Sequence, residues 1–137
     1  MANKEAFHNK RLPDMRNAFS WGLRVSDFKD IFFVTGHGDC NPEFVTQYPG
    51  DPVAQTRHIL NQMKAFIEES GFSIQDIVRT DWTFVKDVDS DQFGGIAAVW
   101  EEFLADVEVK PATGTLRYVD RLGMEDMMVE YEMMLAR

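Results

Sequence analysis

The chain has 137 residues, 45% of them hydrophobic and 27% charged, which is typical of one ordinary globular domain rather than a disordered segment. Its 23 acidic and 14 basic residues give a formal charge of −9, which excludes a general attraction to phosphate backbones and argues against a nucleic-acid partner. No apolar run approaches the length of a membrane span, so we expect no membrane partner.

The N-terminus and the cysteine content suggest a compartment. Residues 1–16 have no apolar stretch of signal-peptide length and carry loosely grouped basic side chains, which predicts a solvated N-terminal arm. Cys40 is the only cysteine, so an internal disulfide is excluded and no thiolate cluster is available for a structural metal. With no cationic neighbour in sequence, this thiol is expected to be inert. We therefore expect a cytoplasmic location.

The first half of the chain predicts strands followed by a helix. A β-branched and aromatic run from Ile31 to Thr35, just before "GHG", predicts a buried strand that ends in a tight turn, and "LRVSDFKD" is a candidate partner strand. Asp51 as N-cap and Pro52 at the first helical position predict a helix that Gly71 terminates.

The second half continues the alternation of strands and helices. Val78, Thr80, Trp82 and Phe84 alternate with polar residues, which predicts a strand with one buried face. "DSDQFGGIAAVWEEFLADV" predicts an amphipathic helix whose two glycines weaken its first turn, and "GTLRYVDRL" and "MMVEYEMMLAR" predict two more strands. This order predicts an α+β domain with two helices packed on one face of a mixed sheet. The other face, expected to be apolar, requires a cover such as a second copy of the chain.

Specific stretches then point to a family. "FFVTGHGD", "DPVAQTRHILNQMKAFIEESG", "FGGIAAVWEEFL", "KPATGTLRYVDRL" and "VEYEMMLAR" resemble the RidA (YjgF) family, once labelled endoribonuclease L-PSP. The resemblance runs from Phe19 to Leu135. It implies a chorismate-mutase-like fold for a single domain spanning residues 1–137. It also implies a homotrimer whose sheets form an inner barrel, with ligand clefts between the subunits.

The resemblance also implies site residues. Some family members hydrolyse reactive enamines and imines to ketoacids and ammonia. In these members an arginine in a "PARS" motif grips the substrate carboxylate, and a glutamate on the last strand positions water. The matching positions here are Glu130 for the glutamate, Thr35 for a serine, Gly36 after it, Phe19 for a tyrosine, Ala97 for an asparagine and Thr113 for the arginine. Threonine cannot supply the two parallel hydrogen bonds of a guanidinium, so position 113 puts the deaminase activity in question.

Arg117 offers a compensation for the missing guanidinium. Counted along an extended strand, Thr113, Thr115 and Arg117 share one face, so Arg117 would bring a cation to a neighbouring part of the cleft. The alternative is a surface arginine paired with Asp120 or Glu132.

Three further groups of residues invite a functional interpretation. His37 follows the first buried strand and is the histidine best placed for acid–base work, although a turn or packing role is the alternative and no second histidine lies at metal-ligand spacing. Glu130 and Glu132 should share a strand face, with Glu132 in a structural role. The C-terminal methionines are expected to serve as adaptable packing.

The leading hypothesis is a RidA-like homotrimer that binds a small metabolite in its intersubunit clefts and hydrolyses an enamine or imine without a cofactor or metal. Glu130 would orient water, Thr35 and His37 would contact the substrate, and Phe19 would line the pocket. The competing hypothesis is a trimer that binds its ligand but has lost the reaction together with the arginine. Ribonuclease activity, implied only by the old family label, is disfavoured by the acidic charge and the lack of a basic groove.

Overall fold

A five-stranded mixed sheet carries two helices on one face, and a two-stranded sheet lies beside it, in the computed structural model, which describes residues 2–137. The strands are β1 (Asn3–Phe7), β2 (Gly22–Ser26), β3 (Ile31–His37), β4 (Ile77–Val85), β5 (Ala112–Thr113), β6 (Arg117–Val119) and β7 (Val129–Ala136). The helices are α1 (Pro52–Glu69) and α2 (Ser90–Phe103), and a short 3₁₀ turn spans Ile74–Asp76. The predicted α+β class is thereby confirmed, whereas the trimeric barrel stays a prediction.

The order of strands in the large sheet is β3, β7, β4, with β5 and then β6 along the outer edge of β4. β7 is antiparallel to both of its neighbours, so the C-terminal strand lies in the centre of the sheet. β5 and β6 run parallel to β4, and a parallel pairing needs a long crossover, which α2 supplies.

Helix α1 begins and ends where its capping residues predict. The Asp51 side chain accepts a hydrogen bond from the backbone N–H of Ala54, and Pro52 occupies the first turn, where no N–H is needed. At the other end Gly71 has a φ of +85°, a left-handed conformation that glycine adopts without a steric penalty.

The glycines of helix α2 have a different role from the predicted one. The first turn is stabilised by a capping box, in which Asp89 and Gln92 each accept the other's backbone N–H. A Cβ atom at Gly95 would lie 2.7 Å from a methyl group of Val53 on α1. Gly95 therefore allows the two helices to approach closely. Because α2 begins at Ser90, Gly94 and Gly95 lie after its first turn and not, as predicted, within it.

The N-terminal segment is not a solvated arm throughout. Asn3–Phe7 forms β1, which pairs antiparallel with β2, so β2 is the partner of β1 and not, as predicted, of β3. Lys4 fixes this pair to the domain by donating from Nζ to the carbonyl of Gln75, and partial burial lowers the pKa of Lys4. A short strand rich in charged residues carries little hydrophobic periodicity, so its sequence pattern did not distinguish it from an arm.

The core lies between the sheet and the helices. Its largest fully buried side chains include Trp100 of α2, Phe84 of β4 and Tyr131 of β7. The Trp100 indole N–H donates to the carbonyl of Ala18 over 2.8 Å, and the Tyr131 hydroxyl lies 2.5 Å from the hydroxyl of Thr56 on α1. These polar tips are satisfied inside an apolar core, which fixes residue 18 against α2 and α1 against the sheet.

Tyr131 should make stability decrease at alkaline pH. Burial raises the pKa of Tyr131 far above its ordinary value, so the unfolded chain loses this proton near pH 10 while the folded chain keeps it. The free energy of unfolding should therefore fall above about pH 10, by up to ~1.4 kcal/mol per pH unit from this residue. Urea unfolding at pH 8 to 11 would measure it, and Tyr131→Phe should show a shallower decline. Equal slopes for both proteins would contradict the prediction.

Candidate functional site

The large sheet has a covered face and an open face. Val34, Thr80, Phe84 and Tyr131 point to the helices and are buried. The side chains of the opposite set form what we call the open face: Ile31, Phe33, Thr35, Arg79, Asp81, Thr83, Arg117, Glu130, Glu132 and Met134. Phe33 is 70% exposed there, yet charged residues fill the middle of the face. The expectation of an apolar second face is thus correct only for its β3 side.

Glu130 lies at the centre of the open face, in close contact with Gly36. A Cβ atom at Gly36 would be 2.9 Å from the Oε1 atom of Glu130, so the glycine allows the carboxylate to lie directly against β3. Thr35 precedes this contact and points away from the core, because its neighbour Val34 is buried. The pairings Thr83 with Glu130 and Asp81 with Glu132 confirm that both glutamates share one face. Three predicted site residues, Thr35, Gly36 and Glu130, therefore lie together.

Phe19 and Thr113 form a second group at the β5 edge. The backbone N–H of Ser20 donates to the carbonyl of Pro111 over 3.0 Å, and the Ser20 hydroxyl donates to the carbonyl of Lys110 over 2.7 Å. These bonds hold Phe19 beside the strand that carries Thr113. Thr113 pairs with Thr80, whose side chain is fully buried on the covered face. Within one chain, this group is separated from Glu130 by β4.

The prediction that Thr113, Thr115 and Arg117 share one strand face is wrong. Thr113 pairs with Thr80 and Arg117 with Thr83, so four residues of one strand oppose three of the other. The extra residue between β5 and β6 reverses the side-chain alternation, as a bulge does. Tyr118 confirms the reversal, since its ring contacts that of buried Phe84 at a centroid distance of 5.8 Å. Arg117 thus shares a face with Glu130 and not with Thr113.

An ion pair on the open face explains the glycine after Thr113. The guanidinium of Arg79 binds both carboxylate oxygens of Asp81 at 3.1 and 3.2 Å, and the Asp81 side chain is only 10% exposed. A Cβ atom at Gly114 would lie 1.8 Å from the Oδ1 atom of Asp81. The loop between β5 and β6 therefore passes directly over this ion pair, and Asp81 raises the pKa of Arg79.

Gly114→Ala should destabilise the protein by about 1–3 kcal/mol, because the new methyl group must displace a nearly buried carboxylate and its guanidinium. Urea unfolding at neutral pH would measure the loss. Gly94→Ala is the matched control, because no atom lies within 4 Å of its Cβ position and alanine favours the helix by up to ~1 kcal/mol. Equal stability of Gly114→Ala and the unmodified protein would contradict the steric argument.

His37 faces the helices rather than Glu130. A register shift between Val34 and His37 turns its ring towards α1, where it packs against Phe66 at a centroid distance of 5.8 Å. Its Nδ1 atom lies 2.6 Å from the carbonyl of Thr35. The turn and packing interpretation fits this placement, because the bulge directs the ring to the helix side of the sheet. The predicted substrate contact stays a prediction.

The remaining predicted positions lie on the covered side. Ala97 is a half-buried residue of α2, so the family's asparagine position belongs to the helix layer. Met127 and Met133 are buried, and Met127 packs so closely on Gly38 that a Cβ atom there would lie 1.9 Å from its terminal methyl group. This close contact agrees with the predicted packing role of the methionines.

A buried Asp39–His58 pair is a feature that the sequence interpretation missed. The Asp39 side chain has no exposed surface, accepts the backbone N–H of Tyr48 over 2.7 Å and lies 2.5 Å from Nδ1 of His58 on α1. The pair holds the loop after β3 onto the helix, beside a cavity of about 390 Å³. A position between glycine and a proline-rich loop favours a turn aspartate, and no sequence signal joins it to a histidine 19 residues later.

Among residues 2–137, no group of three or more histidine, cysteine, aspartate or glutamate side chains could hold a metal ion. No helix within the same residues is long and apolar enough to cross a membrane.

Comparisons with known proteins identify the family. The family model described as endoribonuclease L-PSP matches residues 10–136. The chain is 30% identical over 129 residues to a RutC family protein of Pyrococcus abyssi, with 94% of each chain covered. It is also 30% identical over 111 residues to the 2-iminobutanoate/2-iminopropanoate deaminase of Escherichia coli K12, covering 81% of this chain and 83% of the deaminase.

Solved structures agree with this assignment. The Rid-family protein YyfB of Yersinia pestis has the same fold, with a TM-score of 0.85 at 19% identity over 98% of this chain and 99% of that protein. The YjgF gene product of Escherichia coli matches with a TM-score of 0.65 at 25% identity, over 97% and 98% of the two chains. The extent of the family match and the identity to curated relatives show that the chain belongs to the RidA (YjgF) family, whose model is described as endoribonuclease L-PSP.

Proposed function

We propose that this chain forms a homotrimer whose intersubunit clefts bind a small enamine or imine and hydrolyse it to a carbonyl compound and ammonia. One observation carries the proposal: the Glu130 carboxylate lies against Gly36 on an open sheet face, where a water molecule can reach it. The 30% identity to a 2-iminobutanoate/2-iminopropanoate deaminase supports the class of reaction.

The chemistry needs a water molecule, a proton acceptor and an electrophilic carbon. Glu130 accepts a proton as the water oxygen adds to the imine carbon, and the electron pair of the C=N bond moves to nitrogen, which takes up a proton. The protonated Glu130 then returns its proton to nitrogen, the C–N bond breaks to release ammonia, and the hydroxyl group loses its proton to solvent as the carbonyl group forms. A positioned general base contributes roughly 10²- to 10⁴-fold to such a step. The Thr35 hydroxyl, next to Gly36, is placed to hydrogen-bond the substrate.

Trimer formation would join the two groups of predicted residues. Thr35, Gly36 and Glu130 lie on the open face, whereas Phe19 and Thr113 lie at the β5 edge. A neighbouring subunit whose β5 edge approaches this open face would complete a cleft from both groups. The exposed Phe33 and Ile31 supply the apolar surface that such an interface buries.

The second candidate function is ligand binding without catalysis. It is favoured by Thr113, which occupies the position where the resembling deaminases have their carboxylate-binding arginine. Loss of a bidentate charge-assisted contact should weaken the binding of a carboxylate substrate by at least ten- to a hundredfold. The trimer and its clefts would then survive as a small-molecule sensor or carrier.

Ammonia release from enzymatically generated 2-aminoacrylate distinguishes the two functions. Acceleration by the purified protein supports hydrolysis. No acceleration by this protein, together with a gain of activity in Thr113→Arg, would favour the binding module. If neither protein accelerates release and neither binds 2-oxobutanoate in calorimetry, both functions are rejected for this substrate class.

The cytoplasm stays our proposed location. Cys40 is a free, half-buried thiol in the described chain, as expected for a protein kept in a reducing compartment.

A further inference from the structure

We infer that Arg117, and not position 113, binds the carboxylate of the substrate. The inference rests on the proposed function, because it assigns the substrate class of the same cleft: an imine that carries a carboxylate group. Its basis is the extra residue between β5 and β6, which brings the Arg117 side chain onto the open face with Glu130.

Arg117 and Glu130 lie in one row across the sheet. Both pair with Thr83, Arg117 from β6 on one side of β4 and Glu130 from β7 on the other. Two strand spacings separate their Cα atoms by roughly 10 Å, and both side chains project from the same face. The half-buried Thr83 lies between them and adds a hydroxyl group to the floor of the site.

The spacing suits a 2-imino acid. A water molecule hydrogen-bonded to Glu130 stands about 3 Å from the carbon that it attacks, and the substrate carboxylate is bonded directly to that carbon. Water attacks the imine carbon from above its plane, whereas the carboxylate lies in that plane, so a guanidinium that binds the carboxylate must lie to one side of Glu130. Arg117 has this relation to Glu130, with the substrate above Thr83.

Arg117 is also available for a ligand. Among residues 2–137 no acidic group lies within 4 Å of its guanidinium, whereas Arg79 on the same face is bound to Asp81. Neither carboxylate that the sequence offered as a partner binds the Arg117 guanidinium. Asp120 pairs with Lys86 at 2.6 Å, and Glu132 forms no ion pair with Arg117. Covering the open face in a trimer would lower the local dielectric and strengthen a bidentate contact.

Calorimetry with a stable product tests the inference independently of turnover. The probe is 2-oxobutanoate, and 2-butanone is the matched ligand without a carboxylate. Arg117→Gln should raise the Kd for 2-oxobutanoate at least tenfold and leave the weak binding of 2-butanone unchanged. Arg117→Lys should restore only part of the affinity, because an ammonium group lacks the planar fork. Arg121→Gln, which removes an exposed cation just beyond β6, is the control and should bind like the unmodified chain.

Kinetics separate this inference from the proposed function. If the protein hydrolyses 2-iminobutanoate, Arg117→Gln should raise KM at least tenfold, with kcat changed much less. Active protein with an unchanged KM in Arg117→Gln would overturn the role of Arg117 and leave the hydrolase intact. Inactive protein that still loses 2-oxobutanoate binding in Arg117→Gln would reject hydrolysis and retain the carboxylate site. Equal binding of 2-oxobutanoate by Arg117→Gln and the unmodified chain overturns the inference in either case.

Discussion

Glu130→Gln should lower kcat/KM for imine hydrolysis by at least a hundredfold. The amide keeps the size of the side chain and its contact with Gly36, but it cannot accept the proton that the attacking water gives up. Substrate affinity should change little, because the carboxylate group of the substrate binds Arg117 and not Glu130. The loss should therefore appear in kcat, as for a group that acts on the reacting water rather than on the bound substrate.

Glu132→Gln is the matched control. Glu132 lies two residues along the same strand and on the same face, opposite Asp81 and near Arg79. Removing its charge tests whether any carboxylate on this face affects the rate through the local field. Ammonia release measured for both variants over a range of substrate concentrations separates kcat from KM. Activity of Glu130→Gln within threefold of the unmodified protein, or an equal loss in Glu132→Gln, would remove Glu130 from the reaction.

The parts of the fold that sequence predicts well are those whose local signals agree. For α1 the N-cap Asp51, the proline after it and the terminal Gly71 all indicate the same boundaries, and the structure confirms them. The alternation on β4 likewise predicts which side meets the core. Where capping residues, periodicity and turn residues agree in this way, the structure of a segment can be predicted from its local sequence alone.

The parts that sequence could not predict depend on non-local pairing. The faces of Thr113 and Arg117 follow from an extra residue against β4, which lies more than 30 positions earlier in the chain, and the face of His37 follows from another bulge. A one-residue shift reverses every later side chain, so counting along the strand from Thr113 placed Arg117 on the wrong face. The bulges thus decide which predicted residues meet Glu130.

Phe33→Glu should convert the proposed trimer into monomers. Phe33 is 70% exposed in the single chain and pairs with Met134 on the open face, which the proposed trimer buries. A glutamate there would be buried in the interface near Glu132. The cation in the same row, Arg79, is already bound to Asp81, so burial of the new charge would cost several kcal/mol per subunit. Sedimentation should show a species of 15.8 kDa in place of one three times as heavy.

The same substitution should leave the fold of each chain intact, because an exposed position contributes little to the core. Circular dichroism should therefore be unchanged, while imine hydrolysis is lost with the cleft that the neighbouring subunit completes. Phe44→Glu is the matched control, since Phe44 is 76% exposed on the loop after β3 and outside the open face. A monomeric unmodified protein, or a fully active Phe33→Glu monomer, would contradict an intersubunit cleft and locate the chemistry within one chain.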